Sequence, residues 1–338
     1  MRDLPRLRFA NLPTPIEELP RISKNFGNVR LWVKRDDLTG LALGGNKTRK
    51  LEFLVAQAKL NGADTLVTAG AIQSNHCRQT AAAATRFGFN CILVLTAPSD
   101  PADYYSPKQM PSGNLLLDRI FGARVIWAEQ NNRNEVLQQV VQQAIEEGRK
   151  PYLIPYGGSN PVGASAYVIA MQELVSQYSL TTQDRLPDWI VFPTSSGGTQ
   201  AGMVLGAKLS GYSGKILGIS VDETEEKMKI RVADLGNETA QFLEENVAFQ
   251  SEEILVNDDY LGGGYGVVGE FEKEAIKLFA QLEGLLLDPV YTGRAAAGLI
   301  DLIRNDFFRD KSIAHPNVLF WHTGGTPALF AQRYRDLF

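Results

Sequence analysis

Short runs rich in β-branched residues alternate with amphipathic stretches almost from end to end of this chain. Two of the amphipathic stretches, at 48–62 and 74–88, end at a glycine, which is a common residue at a helix C-terminus. This order predicts an α/β protein with open, twisted, mostly parallel sheets that are flanked by helices. The eight predicted strands are 29–34, 65–69, 91–97, 124–128, 151–156, 189–194, 215–221 and 318–323.

Composition narrows the choice of partners and compartment. The 338 residues suit two domains, and 34 Lys and Arg against 38 Asp and Glu give a formal charge of -4 without a basic run. Nucleic acid and membrane surfaces are therefore poor candidate partners. Cys77 and Cys91 fit no zinc-binding spacing, which leaves no predicted metal site and suits a reduced compartment. The first 20 residues carry prolines and charges where a signal peptide needs an apolar core, so we expect a soluble cytoplasmic protein.

The segment 96–113 is dense in Pro, Ser and Asp. Such a composition is typical of a surface loop. A flap over a functional site is the alternative, and the sequence leaves both open.

The stretch PTSSGGTQAG at 193–202 follows a predicted strand and opens a helix. Its two glycines allow a tight turn, its hydroxyl groups can donate hydrogen bonds, and the free N–H groups of a helix start favour a dianion. We interpret it as a phosphate site, with an ordinary strand-to-helix turn as the alternative.

A second glycine-rich stretch, GYGVVG at 264–269, formally matches a dinucleotide-binding fingerprint. In that fingerprint the glycines come directly after a strand, whereas polar residues at 257–260 intervene here. The stretch is better interpreted as a loop that lines a site than as a nicotinamide-binding motif.

The stretch LGGNKTRKLE at 43–52 resembles the end of a triphosphate-binding loop but lacks two of its glycines. What remains is Lys47 and Lys50, one helical turn apart at a helix start. The helix dipole lowers the pKa of a lysine there and makes its amine more nucleophilic, as a Schiff-base lysine requires. Solvated surface charges are the alternative, and position alone does not choose between the two lysines.

The stretch GAIQSNHCRQ at 70–79 places Ser74, Asn75 and His76 at the start of an alanine-rich helix. Ser74 is a good N-cap residue, and a helix start with several donors suits a carboxylate. A phosphate site, a candidate Schiff-base lysine and a carboxylate site together indicate a pyridoxal phosphate enzyme that acts on an amino acid.

Five segments, 44–54, 70–82, 195–202, 285–299 and 321–330, resemble the pyridoxal phosphate family that contains D-cysteine desulfhydrase and 1-aminocyclopropane-1-carboxylate deaminase. They run in order over nearly the whole chain. The resemblance implies the fold of the tryptophan synthase β subunit and a homodimer. It also implies a larger cofactor-binding domain (1–50 and 165–338), a smaller domain (51–164) and an active site in the cleft between them.

The resemblance also implies residue roles. Lys47 becomes the Schiff-base lysine and Lys50 a neighbouring cation, Asn75 contacts the phenolic oxygen of the cofactor, and Ser74 and His76 stand where the substrate carboxylate is received. Tyr291 lies against the pyridine ring, and Tyr265 is a second active-site tyrosine. The implied phosphate loop comprises Ser195, Ser196, Gly197, Gly198 and Thr199.

Two threonines separate the branches of this family. Thr292 stands where the cyclopropane deaminases carry a glutamate that protonates the pyridine nitrogen, and Thr323 stands where they carry a leucine. A hydroxyl leaves the ring largely neutral, so the cofactor is a weaker electron sink. The pair resembles the desulfhydrase branch and implies α,β-elimination of D-cysteine, with the cyclopropane substrate or L-cysteate as alternatives.

Overall fold

The computed structural model describes residues 2–96, 111–180, 185–309 and 315–338. Within these ranges the chain forms ten strands and ten α-helices, joined by short turns and single 3-10 turns. The strands are β1 (Ile16–Glu18), β2 (Arg30–Arg35), β3 (Thr65–Ala71), β4 (Asn90–Thr96), β5 (Arg124–Ala128), β6 (Pro151–Leu153), β7 (Trp189–Thr194), β8 (Lys215–Ser220), β9 (Leu255–Asn257) and β10 (Asn317–His322). The helices are α1 (Pro20–Phe26), α2 (Asn46–Leu60), α3 (Asn75–Phe87), α4 (Gly113–Ile120), α5 (Arg133–Glu146), α6 (Pro161–Leu180), α7 (Gly198–Ser210), α8 (Glu225–Phe242), α9 (Glu270–Glu283) and α10 (Thr292–Arg304).

The strands form two separate sheets. One has six strands in the order β1-β2-β10-β7-β8-β9, and the other has four in the order β5-β4-β3-β6. Every pairing is parallel except that of β1 with β2. The predicted α/β class with mostly parallel sheets is therefore confirmed.

All eight predicted strands are present: β5 and β7 have the predicted bounds, and each of the other six has one or both ends shifted by one to three residues. Two further strands, β1 and β9, were not predicted; they have three residues each and form the two edges of the larger sheet. A run of three residues is too short to show an alternating pattern.

Helices cover both faces of the larger sheet, as β10 shows. Phe320 packs in a cluster with Phe279 of α9, whereas the adjacent Trp321 packs in another cluster with Tyr167 of α6 and Met203 of α7. Successive side chains of a strand point to opposite faces, so both faces are buried. This explains why the strand reads as a continuous apolar run.

The four strands of the smaller sheet, β3 to β6, all lie between 51 and 164. The predicted boundaries themselves fall inside α2 and α6, so the division remains a prediction. Most of the loop at 96–113 lies outside the described residues. Among those described, no helix is long and apolar enough to cross a membrane, and Cys77 and Cys91 are buried free thiols.

Candidate active site

A cavity lies at the carboxyl ends of β7 and β10 in one sheet and follows β3 and β6 in the other. Parallel α/β sheets commonly bind ligands at this edge, where loops leave the strands. Its lining comprises Asn46, Lys47, Ser74, Asn75, His76, Tyr156, Gly157, Pro193, Thr194, Ser195, Ser196, Gly197, Thr199, Tyr291, Thr323 and Gly324. The structure thus brings three of the four stretches singled out in the sequence, at 43–52, 70–79 and 193–202, together around one cavity. The fourth, at 264–269, contributes no residue to the lining, and no described residue of the lining carries a carboxylate.

Lys47 and Lys50 lie one turn apart on α2, and both side chains point toward the loop after β6. Their Nζ atoms lie 3.3 and 3.2 Å from the carbonyl oxygen of Gly157. Burial lowers the pKa of Lys47 to about 8, although nearby Asp222 opposes the shift, and burial with the Lys47 charge lowers the pKa of Lys50 well below its ordinary value. Lys47 lines the cavity and Lys50 does not, so the two amines differ in their access to a ligand in the cavity.

The turn between β7 and α7 is closely packed against Ser159. Gly197 has a positive φ of 82°, and the Ser196 and Ser159 hydroxyls lie 2.7 Å apart. The Gly198 N–H donates to Ser159 Oγ at 3.1 Å, and a Cβ at Gly198 would approach Ser159 to 2.6 Å. Glycine is therefore required at 198, although Gly198 itself does not line the cavity.

A second close approach involves Gly157. A Cβ there would lie 2.3 Å from Ser196 Oγ and 3.4 Å from Lys47 Nζ. Its positive φ of 65° is a further reason for glycine. The space beside the lysine amine and the glycine-rich turn is thus kept open by the backbone of the β6 loop.

Ser74 and Asn75 begin α3 at the cavity. Ser74 Oγ accepts from the Cys77 N–H at 3.2 Å, which leaves its own proton free to donate. Asn75 Oδ1 accepts from Asn114 Nδ2 at 2.9 Å, and Gln73 in turn holds Asn114 by two hydrogen bonds. The Asn75 amide is thereby oriented with its Nδ2 donor available to a ligand.

His76 also lines the cavity, but its contacts give it a different character. Thr68 Oγ1 donates to the Ile154 carbonyl oxygen at 2.8 Å, so His76 Nε2, 2.9 Å from that hydroxyl, is the donor of their hydrogen bond. The buried Nδ1 then carries a lone pair and has no partner. Burial and the two lysine charges lower the pKa of His76 well below its ordinary value. A neutral acceptor nitrogen repels a carboxylate, which favours Ser74 and Asn75 over His76 as its ligands.

The two tyrosines are in contact. Tyr291 lines the cavity and its hydroxyl lies 2.5 Å from that of Tyr265, which is not part of the lining.

Thr323 lines the cavity directly after β10. Thr292 does not: it is fully buried, and its Oγ1 donates to Asp288 Oδ1 at 2.7 Å. The structure therefore brings Thr323, but not Thr292, to the site.

Sequence reasoning missed Asp222, which follows β8. Its Oδ2 accepts from Ser195 Oγ at 2.6 Å, its Oδ1 is buried without a partner, and burial raises its pKa. A polar residue directly after a buried strand was the available signal. Asn114 and Ser159 were missed as well, because their roles depend on contacts with distant segments.

Within the described residues no cluster of His, Cys, Asp and Glu could hold a metal ion.

These residues fit a cofactor that carries both a phosphate and an aldehyde. The glycine-rich helix start offers donors to a dianion, and two buried amines have no carboxylate within ion-pair distance among the described residues. Lys47 is accessible from the cavity and has a depressed pKa, as an amine that reacts with a carbonyl requires. Fold and site together define an α/β protein of fold type II, the class of the tryptophan synthase β subunit.

The chain belongs to the family described as pyridoxal-phosphate dependent enzyme, whose profile matches residues 7–324. A solved structure of an ACC deaminase homologue shares 36% identity over 99% of this chain and 97% of that chain, with a TM-score of 0.85. The protein is therefore a pyridoxal phosphate enzyme, and pyridoxal 5′-phosphate is its cofactor.

Two more distant structures support the fold alone. A threonine deaminase from T.th. is 19% identical over 92% of each chain, with a TM-score of 0.64. An O-ureido-L-serine synthase is 16% identical over 96% of this chain and 93% of that chain, with a TM-score of 0.66.

Proposed function

We propose that this enzyme converts D-cysteine and water to pyruvate, ammonia and hydrogen sulfide by α,β-elimination. The observation that carries the proposal is the lining of the cavity, in which Thr323 supplies a hydroxyl and no carboxylate is present among the described residues. Such a lining gives the pyridine nitrogen no acid to protonate it, so the cofactor is a weaker electron sink. A weaker electron sink suffices for loss of a good leaving group but disfavours opening of a cyclopropane. The assignment to the desulfhydrase branch therefore depends on Thr323, since the Thr292 hydroxyl donates its hydrogen bond to Asp288.

The residues that would hold pyridoxal phosphate follow from the cavity. Lys47 would carry the cofactor by its amine, Asn75 would donate from Nδ2 to the phenolic oxygen, and the turn at 196–199 would receive the phosphate. Lys50, which lies 3.4 Å from Ser159 Oγ beside this turn, would add a positive charge. When bound, the cofactor supplies an electron sink for the negative charge that develops at Cα.

The substrate carboxylate would bind at the start of α3. The Ser74 hydroxyl and the free N–H groups of the first helical turn are donors that suit it. His76 would not hold the carboxylate, because its buried Nδ1 is an acceptor.

Two groups would move protons. Lys47 would take the proton from Cα, because a pKa of about 8 leaves part of its amine unprotonated at neutral pH. Tyr291, backed by Tyr265, would donate a proton to the departing sulfur, since burial raises the pKa of both hydroxyls and keeps them protonated.

A homodimer is the assembly that we propose. Leu116 and Ile120 of α4 and Phe330 of the adjoining 3-10 turn are exposed apolar side chains on elements that contact one another. Light scattering on a sizing column will test this, and a monomeric mass would contradict it.

The function is tested by a substrate panel. The purified holoenzyme is offered D-cysteine, L-cysteine, L-cysteate and 1-aminocyclopropane-1-carboxylate at equal concentrations, and formation of the 2-oxo acid is followed. We expect D-cysteine to have the highest kcat/KM and hydrogen sulfide to appear in equal amount. The 36% identical structure described as an ACC deaminase homologue favours the cyclopropane as the second candidate, and fastest turnover of that compound would refute our proposal.

A further inference from the structure

One carbonyl oxygen serves two lysine amines in this site. The Gly157 oxygen lies 3.3 Å from Lys47 Nζ and 3.2 Å from Lys50 Nζ, and both amines are on the first turns of α2. A single carbonyl can stabilise the charge of one of them far better than the charges of both. The two amines are therefore coupled by geometry as well as by charge.

The surroundings favour one proton for the pair. Both amines are buried, and among the described residues no carboxylate lies within ion-pair distance of either. Two like charges so close together in a buried site repel strongly. The titratable groups that face the pair from other elements are Asp222 after β8, His76 of α3, Tyr156 after β6 and Tyr291 at the start of α10.

Without a bound anion the proton belongs to Lys47. The negative charge of Asp222 acts on Lys47, whereas among the described residues the charge that acts on Lys50 is that of Lys47. His76 does not compete for the proton, because burial and the lysines lower its pKa. A protonated Lys47 cannot attack a carbonyl, so the site in this state is not ready for its cofactor.

An anion at the glycine-rich turn changes the balance. Lys50 Nζ lies 3.4 Å from Ser159 Oγ, and Ser159 contacts both Ser196 Oγ and the Gly198 N–H. Negative charge held by this turn therefore acts more closely on Lys50 than Asp222 does. It stabilises the charged form of Lys50, and a charged Lys50 disfavours a charge on Lys47.

We propose that a phosphate group bound at residues 196–199 transfers the single proton of the pair from Lys47 Nζ to Lys50 Nζ. The proton count and the net charge of the pair are unchanged, and Lys47 is left as a free amine. The inference rests on the proposed roles of Lys47 and of the phosphate turn. Lys50 is then a positioning residue, which acts by setting the protonation state of Lys47. The phosphate of the cofactor thereby activates the amine with which the aldehyde of the cofactor reacts.

The test separates phosphate from aldehyde. Full-length protein freed of cofactor is mixed with 5′-deoxypyridoxal, which has the aldehyde and lacks the phosphate, and the rate of appearance of protein-bound visible absorbance is measured against pH. We expect the rate to rise with a midpoint near the Lys47 pKa of about 8. Saturating inorganic phosphate should lower this midpoint by about one pH unit or more.

Three variants assign the effect to Lys50. Phosphate should leave the midpoint unchanged in Lys50→Met, and should lower it in the control Lys59→Met, which alters an exposed lysine of the same helix. In Lys50→Arg the charge is permanent, so the midpoint should be low with and without phosphate. Calorimetry ensures that phosphate saturates each protein, and circular dichroism confirms that each variant is folded.

A wild-type midpoint that does not respond to saturating phosphate would overturn the inference. So would an equal response in Lys50→Met, or a Lys50→Arg midpoint that equals the phosphate-free wild-type value. If Lys50→Met fails to bind phosphate, Lys50→Arg alone decides. No amino acid is present in this assay, so the result is independent of whether D-cysteine is the substrate.

Discussion

The hydroxyl oxygens of Tyr265 and Tyr291 lie 2.5 Å apart, with their rings nearly perpendicular at 75°. Tyr291 reaches the cavity and Tyr265 lies behind it. Burial raises the pKa of both hydroxyls well above the ordinary value, so each remains protonated at neutral pH. When Tyr265 is the donor of their hydrogen bond, the Tyr291 proton is free for the cavity, and the Tyr265 hydroxyl stabilises the oxygen that gives it up.

This arrangement predicts unequal effects of removing the two hydroxyls. We expect Tyr291→Phe to lower kcat for D-cysteine by about 100-fold, as loss of a general acid does, and Tyr265→Phe by about tenfold, because it acts through Tyr291. Steady-state kinetics over a range of pH will measure both. The control is Tyr260→Phe, whose hydroxyl donates to Asp301 at 2.8 Å. A larger loss in Tyr265→Phe than in Tyr291→Phe would reverse the assignment.

The lysine assignment has a spectroscopic consequence. Lys47→Ala should abolish both the protein-bound visible absorbance of the cofactor and the activity, because no amine is left at the cavity wall. Lys50→Ala should keep the absorbance, since its amine is buried beside Ser159 and does not line the cavity. The reverse pattern in absorption spectra of the two purified variants would show that Lys50 carries the cofactor.

Asn114 is expected to act on the cofactor through Asn75. Asn114→Asp changes little volume but removes the donor that holds Asn75 Oδ1 at 2.9 Å. Because the Asn75 amide then loses its fixed orientation, we expect the dissociation constant of pyridoxal phosphate to rise about tenfold, which is about 1.4 kcal/mol. Fluorescence titration of the cofactor will measure it. The exposed Gln139→Glu substitution on α5 is the control, and equal affinities would exclude the proposed orientation.

The sequence predicted the strands and the three stretches that line the cavity because both depend on local patterns. Alternating β-branched runs identify strands, and glycines with hydroxyl residues identify turns that bind anions. The cavity then follows from parallel topology, which brings the carboxyl ends of the strands together.

The remaining features depend on contacts between distant segments. The character of His76 is set by Thr68 and by the Ile154 carbonyl, 86 residues further along the chain from Thr68. Local patterns carry no information on such pairings.

Asp118 predicts a pH-dependent loss of stability. It is fully buried, neither carboxyl oxygen has a partner among the described residues, and burial raises its pKa to about 8 despite the charge of Arg78. A raised carboxyl pKa stabilises the folded state at low pH, and this contribution is lost as the pH rises from about 4 toward 8.

In thermal unfolding, Asp118→Asn should therefore gain stability relative to wild type between pH 5 and pH 8, by about 2 kcal/mol or more at pH 8. The exposed Asp234→Asn substitution on α8 is the control and should shift the curve equally at both pH values. If the melting temperature of Asp118→Asn depends on pH as strongly as that of the wild type, Asp118 does not titrate in this range.

The buried ion pair of Arg49 and Asp36 connects the helix of Lys47 to the rest of the fold. Arg49 follows Lys47 by two residues on α2, and its Nη2 lies 2.8 Å from Asp36 Oδ1 and from Glu173 Oε1 of α6. Arg49 holds the pKa of Asp36 below its ordinary value, although burial alone would raise it. The pair thus contributes stability above pH of about 4, and this contribution is lost as the pH falls further.

Removal of one partner leaves the other charge buried and unpaired. We expect Arg49→Met to lower the free energy of unfolding by about 3–5 kcal/mol at pH 7, measured in urea. Arg30→Met, which breaks a half-exposed pair with Glu18, is the matched control and should cost at most about 1 kcal/mol. Because Asp36 is the group left unpaired, Arg49→Met should lose less further stability than wild type between pH 5 and pH 3. Equal costs for the two arginine variants would mean that this network does not hold the start of α2 in place.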